Sequence, residues 1–111
     1  MATITSHTLN GSDGTHAGGI PVTLTNLTTR TLLFRAVMDD GGRLSQSVAP
    51  SLVEPSATYE LVFDLAAYWA ARGSPASVAQ IVLRFTMRDP EGAYHMPVIF
   101  NPNSYSMWCS S

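Results

Sequence analysis

Val78-Ala79-Gln80-Ile81-Val82-Leu83-Arg84-Phe85-Thr86-Met87-Arg88 is the stretch on which the fold turns. Ile81, Leu83, Phe85 and Met87 fall on one side of an extended chain, with Gln80, Arg84, Thr86 and Arg88 on the other. Successive side chains of a strand point to opposite faces, so this period of two buries one face and wets the other. A helix would need its apolar positions three and four apart. The segment predicts a half-buried strand, which needs a sheet around it and a second layer over its apolar face.

The same pattern recurs in both directions. Upstream, Tyr59 to Phe63 predicts a strand; Asp64 then reads as a helix N-cap, Leu65 to Arg72 as a short alanine-rich helix, and Gly73 as its stop. Thr31 to Met38 places Leu32, Phe34, Ala36 and Met38 on one side, and Gly19 to Leu27 does the same with Ile20, Val22 and Leu24. Thr3 to Leu9 is a first strand, ended by Asn10-Gly11-Ser12-Asp13-Gly14. Asp39-Asp40-Gly41-Gly42 predicts a tight turn that needs positive φ, with Arg43 to Val48 as a return strand and a loop bracketed by Pro50 and Pro55. Downstream of the turn Asp89-Pro90-Glu91-Gly92 come Tyr94 to Phe100 and Ser104 to Cys109, split by Asn101-Pro102-Asn103. Strands this short, separated by turns, imply an all-β sandwich of two sheets with one helix. At 111 residues the chain has the size of a single domain, residues 1–111.

Composition narrows the partners. Charged residues make up 13% against roughly 25% in ordinary soluble proteins. A surface so poor in charge is easiest to tolerate if an oligomer covers part of it. The net charge is −2 and no run of Lys or Arg occurs, so binding to a nucleic-acid backbone has no electrostatic basis. The one cysteine, Cys109, rules out an internal disulfide. No apolar run approaches the ~20 residues needed to span a bilayer. Met1 to Ser6 lacks a signal-peptide pattern, and Cys109-Ser110-Ser111 differs from a peroxisomal address. These features lead us to expect an intracellular, cytoplasmic protein that meets neither membrane nor nucleic acid.

Several segments, taken in order, resemble one known family. They are Ser6-His7-Thr8-Leu9-Asn10, Ala17-Gly18-Gly19-Ile20-Pro21-Val22-Thr23-Leu24, Gly41-Gly42-Arg43-Leu44, and Tyr59 to Asp64 with Tyr68. The most specific are Arg84-Phe85-Thr86, Asp89-Pro90, Tyr94-His95-Met96-Pro97 and Pro102-Asn103-Ser104-Tyr105-Ser106. In order and spacing they are similar to the 5-hydroxyisourate hydrolase and transthyretin family, from about residue 3 to the C-terminus. The resemblance implies a transthyretin-like (prealbumin-like) Greek-key sandwich, assembled as a homotetramer with its sites in the channel between dimers. It also implies hydrolytic opening of a small purine-derived ring at a C–N bond, with no cofactor.

His7, Arg43 and His95 match the family's catalytic set. The chemistry suits them: a histidine, with a pKa near neutrality, can take a proton from water. A guanidinium offers a planar fork of donors to a ring oxygen or a developing anion. His7 and His95 are therefore expected to be the acid/base and water-orienting pair, with Arg43 polarising the substrate. Standing alone, each would be an ordinary strand or loop residue. His16 falls where the family has no catalytic histidine and is expected in a solvent-exposed turn. The three histidines match no compact metal-ligand motif. Cys109 has no base near it in sequence and is expected to be a partly buried spectator thiol rather than a nucleophile. Tyr68 and Trp69 are expected to pack.

The tail departs from the family. Where the hydrolases end in Tyr-Arg-Gly-Ser, this chain has Trp108-Cys109-Ser110-Ser111, and the Asp of their Asp-Gly-Arg becomes Gly41. Trp108, Cys109 and Ser111 are expected to line the substrate. Exchanging a guanidinium for a thiol removes an anion clamp, and Trp108 makes the same wall larger and more apolar. Three readings follow: a 5-hydroxyisourate hydrolase; a relative recruited to a more hydrophobic cyclic substrate as hydrolase, cyclase or isomerase; and a non-catalytic carrier. Retention of both histidines disfavours the third.

Overall fold

A computed structural model of the chain describes residues 1–110. In chain order the strands are β1 (Ala2–Asn10), β2 (Pro21–Asn26), β3 (Thr31–Val37), β4 (Arg43–Val48), β5 (Tyr59–Asp64), β6 (Gln80–Phe85), β7 (Ala93–His95), β8 (Val98–Asn101) and β9 (Ser104–Met107). A 3₁₀ turn covers Pro50–Leu52, and the helix α1 covers Ala66–Ala71.

The strands form two sheets with one core between them. One sheet has the order β3-β2-β5-β6, antiparallel throughout. The other runs β4-β1-β8-β9, with β7 also paired to β1. Ile4, Val22, Leu24, Leu61, Phe63, Ile81, Val98 and Phe100 project between the sheets and are fully buried. β6 is shorter than the stretch from Val78 to Arg88, but its alternation is as the sequence implied: Ile81 is buried, Leu83 and Phe85 pack partly against the core, and Met87 is buried beyond the strand's end.

Three expectations need correction. In β3 the alternation breaks, because the register with β2 shifts between Leu24 and Thr25. An irregularity of that kind turns the strand by one residue, so Leu32 faces solvent at 47% exposure and Leu33 packs in its place. The strand read as Tyr94 to Phe100 is two strands, because Met96-Pro97 interrupts it and a proline brings no N–H to the ladder. Asp64 is not the N-cap; that position is Leu65. The Asp64 carboxylate sits one residue earlier and accepts the Ala66 N–H at 3.2 Å.

β1 is the seam of the molecule. It pairs antiparallel with β4 on one edge, and parallel with β7 and then β8 on the other. Its inward face carries Ser6, Thr8 and Asn10, which are buried but bonded. The Ser6 hydroxyl donates to the Met96 carbonyl at 2.6 Å, that of Thr8 to the Ala17 carbonyl at 2.6 Å, and Asn10 Nδ2 to the Tyr68 hydroxyl at 3.0 Å. The last bond ties α1 to β1, while Tyr68 and Trp69 pack edge-on against Phe100. No helix among the described residues is long and apolar enough to cross a membrane.

Candidate active site

The alternation that buries the even residues of β1 turns Thr5 and His7 to the outer face of the sheet. Strand pairing then fixes their neighbours. Thr5 lies opposite Ser45 on β4 and His95 on β7, forming one row across three strands. His7 lies opposite Arg43 in the adjacent row. Three residues separated by up to 88 positions thus share one surface because their strands are neighbours in register.

Each is held differently. His95 is half-buried, and its Nδ1 is 2.8 Å from the Thr5 hydroxyl, while Nε2 has no hydrogen-bond partner among the described residues. Its backbone is clamped by Ser110: each N–H donates to the other's carbonyl at 2.9 Å, so the tail runs beside β7. Arg43 is exposed and, among the described residues, forms no ion pair. Its backbone is fixed by the turn before it, where the Arg43 N–H donates to Asp39 Oδ1 at 2.8 Å and the Gly42 N–H to the Asp39 carbonyl at 2.9 Å. Gly42 has φ +72°, as the turn was expected to require.

His7 is half-buried, and its pKa is lowered from the ordinary 6.5. Loss of hydration is the largest cause, followed by the Arg43 cation and His16, with a smaller effect from His95; the Gly41 backbone opposes them. A cleft of about 370 Å³ opens over Thr5, Ser6, Asp39, Arg43, Leu44, Ser45 and His95. Among the described residues it offers a ring-sized ligand the Arg43 guanidinium, the His95 imidazole and several hydroxyls.

The tail residues divide. Trp108 is half exposed and follows directly on β9, whose Ser106 pairs with Ile99 on β8. Cys109 is exposed rather than partly buried. It lines a different cavity of about 420 Å³ with Thr86, Arg88, Asp89, Gly92, Ala93 and Tyr94, so it is separated from the His95 cleft. Desolvation raises its thiol pKa, which makes it a poor nucleophile near neutral pH. Ser111 lies outside the described residues.

One residue at this surface was placed only in a turn by its sequence. His16 is exposed, as expected, but its Nδ1 is 2.9 Å from His7 Nε2 and the rings stack at 4.9 Å. The signal was available in the hairpin closed by Asn10 to Gly14: His16 bridges Leu9, which makes it a diagonal neighbour of His7 on the outer face.

The model of the HIUase/Transthyretin family matches residues 4–109. The chain belongs to this family. Among its relatives, the 5-hydroxyisourate hydrolase of Deinococcus radiodurans is 34% identical over 97% of this chain and 95% of its own length. That of Pseudomonas aeruginosa is 31% identical over 100% and 93%. The solved 5-hydroxyisourate hydrolase of Klebsiella pneumoniae superposes with a TM-score of 0.83 at 28% identity, covering both chains completely. Sea bream (Sparus aurata) transthyretin gives 0.79 at 24% identity, covering 96% and 95%, which establishes the transthyretin-like fold. Within the HIUase/Transthyretin family, this chain combines the expected sandwich with a histidine pair and an altered tail.

Proposed function

We propose that the chain is a hydrolase that opens the ring of 5-hydroxyisourate, with His95, His7 and Arg43 as its working groups. The observation that carries this reading is their convergence on one outer sheet face, beside a cleft of a size to take a small ring. The enzymatic relatives, similar over nearly the whole chain, support the same chemistry.

The steps follow from the donors available. A water oxygen adds to a ring carbonyl carbon, and its proton passes to a histidine. Arg43 offers its fork to the oxyanion that forms, where a fixed cation is worth more in the transition state than in the ground state. The C–N bond then breaks, and the histidine returns the proton to the leaving nitrogen. With Nδ1 bonded to Thr5, His95 has Nε2 as its reacting nitrogen: a lone pair when the hydroxyl accepts, an N–H when it donates.

The site is completed by assembly. We infer a homotetramer that pairs these outer faces, which would cover Ile99 and Trp108, exposed by 38% and 51% in the single chain. Trp108 supports a second reading. An indole where the related hydrolases have a polar tail suits a cyclic substrate less anionic than a urate derivative.

The deciding experiment follows freshly generated 5-hydroxyisourate by its ultraviolet absorbance, with and without protein. Acceleration that His95→Ala lowers by about 10²- to 10⁴-fold is expected for loss of a general acid/base. An assembled protein that leaves the spontaneous decay unchanged would exclude this substrate and favour the second reading.

A further inference from the structure

The contact between His7 and His16 goes beyond that reading. The two rings are joined nitrogen to nitrogen, Nε2 to Nδ1, at 2.9 Å. At that separation one nitrogen must carry a hydrogen and the other a lone pair. Two lone pairs would repel, and so would two N–H groups, which is the arrangement forced when both rings are cations. The contact therefore needs one proton between the rings and has no room for a second.

His16 is not a loose side chain that happens to reach. Its backbone is fixed on both sides: the Asn10 N–H donates to the Thr15 carbonyl at 2.8 Å, and the Ala17 N–H to the Thr8 carbonyl at 2.9 Å. The turn is braced by Asp13, whose carboxylate accepts from the Thr15 N–H and hydroxyl. His7 is fixed in the middle of β1. A rigid hairpin thus brings the two rings into register.

We propose that His16 is a positioning residue for His7: the two imidazoles form a dyad that titrates as one unit, and the dyad exchanges its proton with bulk water through the exposed His16 ring. The dyad passes from one bridging proton to one excess proton as pH falls. Its second excess proton is taken up only at much lower pH, where the contact breaks. The other charged groups facing His7 act in the same direction, against a second proton. Arg43 opposite on β4 and His95 on β7 both disfavour further positive charge, while the Gly41 backbone favours it and Asp39 lines the neighbouring cleft. The role given to His16 in catalysis rests on the hydrolase reading; the shared titration does not.

The test therefore has two arms. Ring nitrogen and proton resonances of His7 and His16 are followed by NMR from pH 4 to 9 in the wild-type protein, His16→Ala and His16→Asn. Both rings are expected to report the same two inflections, separated by about one pH unit or more. In either variant His7 collapses to a single inflection with a shifted midpoint. Asparagine, which keeps a hydrogen-bonding group near the Nδ1 position, is expected to retain the ring orientation without the second step. Independent single inflections in the wild type, or a His7 curve unchanged in both variants, would overturn the dyad. In the second arm, the acid limb of the ring-opening rate shifts in both variants, while the plateau rate of His16→Asn stays within a few fold of wild type. A parallel drop at all pH values would mean that His16 only supports the fold, and would overturn the positioning role even if hydrolysis itself is established.

Discussion

His95 lines the cleft and His7 lies beside it on the same sheet face, and their different anchors set what each can be asked to do. His95 depends on one neutral hydrogen bond, from or to Thr5. Thr5→Val keeps the shape and removes that partner, so the ring should lose its fixed orientation at a cost of about 1 kcal/mol in the transition state, roughly fivefold in kcat. A steady-state comparison with unchanged unfolding midpoint checks it; an unaltered kcat would show that the bond does not orient the ring. His7 bears on pH. Desolvation, Arg43 and His16 lower its pKa below 6.5, so the folded chain takes its proton at lower pH than the unfolded chain does. Between those two values the unfolded state holds more protons, and stability falls as pH falls, starting near 6.5 and levelling off below the folded-state value. Urea midpoints measured from pH 8 to 4.5 should show this decline, and His7→Gln should flatten it. Equal slopes in the two proteins would contradict the assignment.

At the scale of elements, the turn between β3 and β4 does more than reverse the chain. The Gly42 carbonyl accepts the Thr8 N–H at 2.7 Å, and a Cβ at Gly42 would lie 2.5 Å from the Thr8 carbonyl oxygen. Gly42→Ala combines that clash with a left-handed φ, so it should destabilise the fold by about 2 kcal/mol or more and displace Arg43. A denaturation curve close to wild type would show that the turn can relax. This element was legible in advance because glycine accepts the positive φ that a tight turn needs and a preceding Asp can bond the turn's backbone, as Asp39 does. So were β6, where alternation is unbroken, and β4, whose ends coincide with those implied by the sequence. The register shift in β3 was not, because Leu32 and Leu33 are chemically alike and only the β2 register chooses between them. His7, Arg43 and His95 were singled out through family resemblance alone; nothing local to His95 reveals that Thr5 lies beside it in the same row. His16 was missed for the opposite reason: the family pattern has no histidine there, whereas hairpin geometry puts one beside His7. Cys109, expected beside the substrate, lines instead the cavity with Arg88 and Tyr94, a neighbourhood that the tail sequence alone does not reveal.

The whole molecule shows why so little charge is needed. Leu32, Val37, Val82, Ile99 and Trp108 are each exposed by more than a third in the single chain. Pairing of outer faces across a tetramer would cover Ile99, which lies opposite Leu9 two residues along β1 from His7. Ile99→Asp should break that contact while leaving the core intact, seen as a lower mass by light scattering with an unchanged β-sheet circular dichroism spectrum. A variant of wild-type mass would move the interface elsewhere. The parallel pairing of β1 with β7 has a further consequence. Thr3 meets Ala93 and Thr5 meets His95, so the cleft exists only after segments 90 positions apart in the sequence have found each other. Contacts of such separation form late, because a long loop must close before they repay its entropy. A chain still emerging from a ribosome can build most of the β3-β2-β5-β6 layer and yet have no cleft at all. On the hydrolase reading, ring-opening activity would appear only in chains whose β7 has already joined β1.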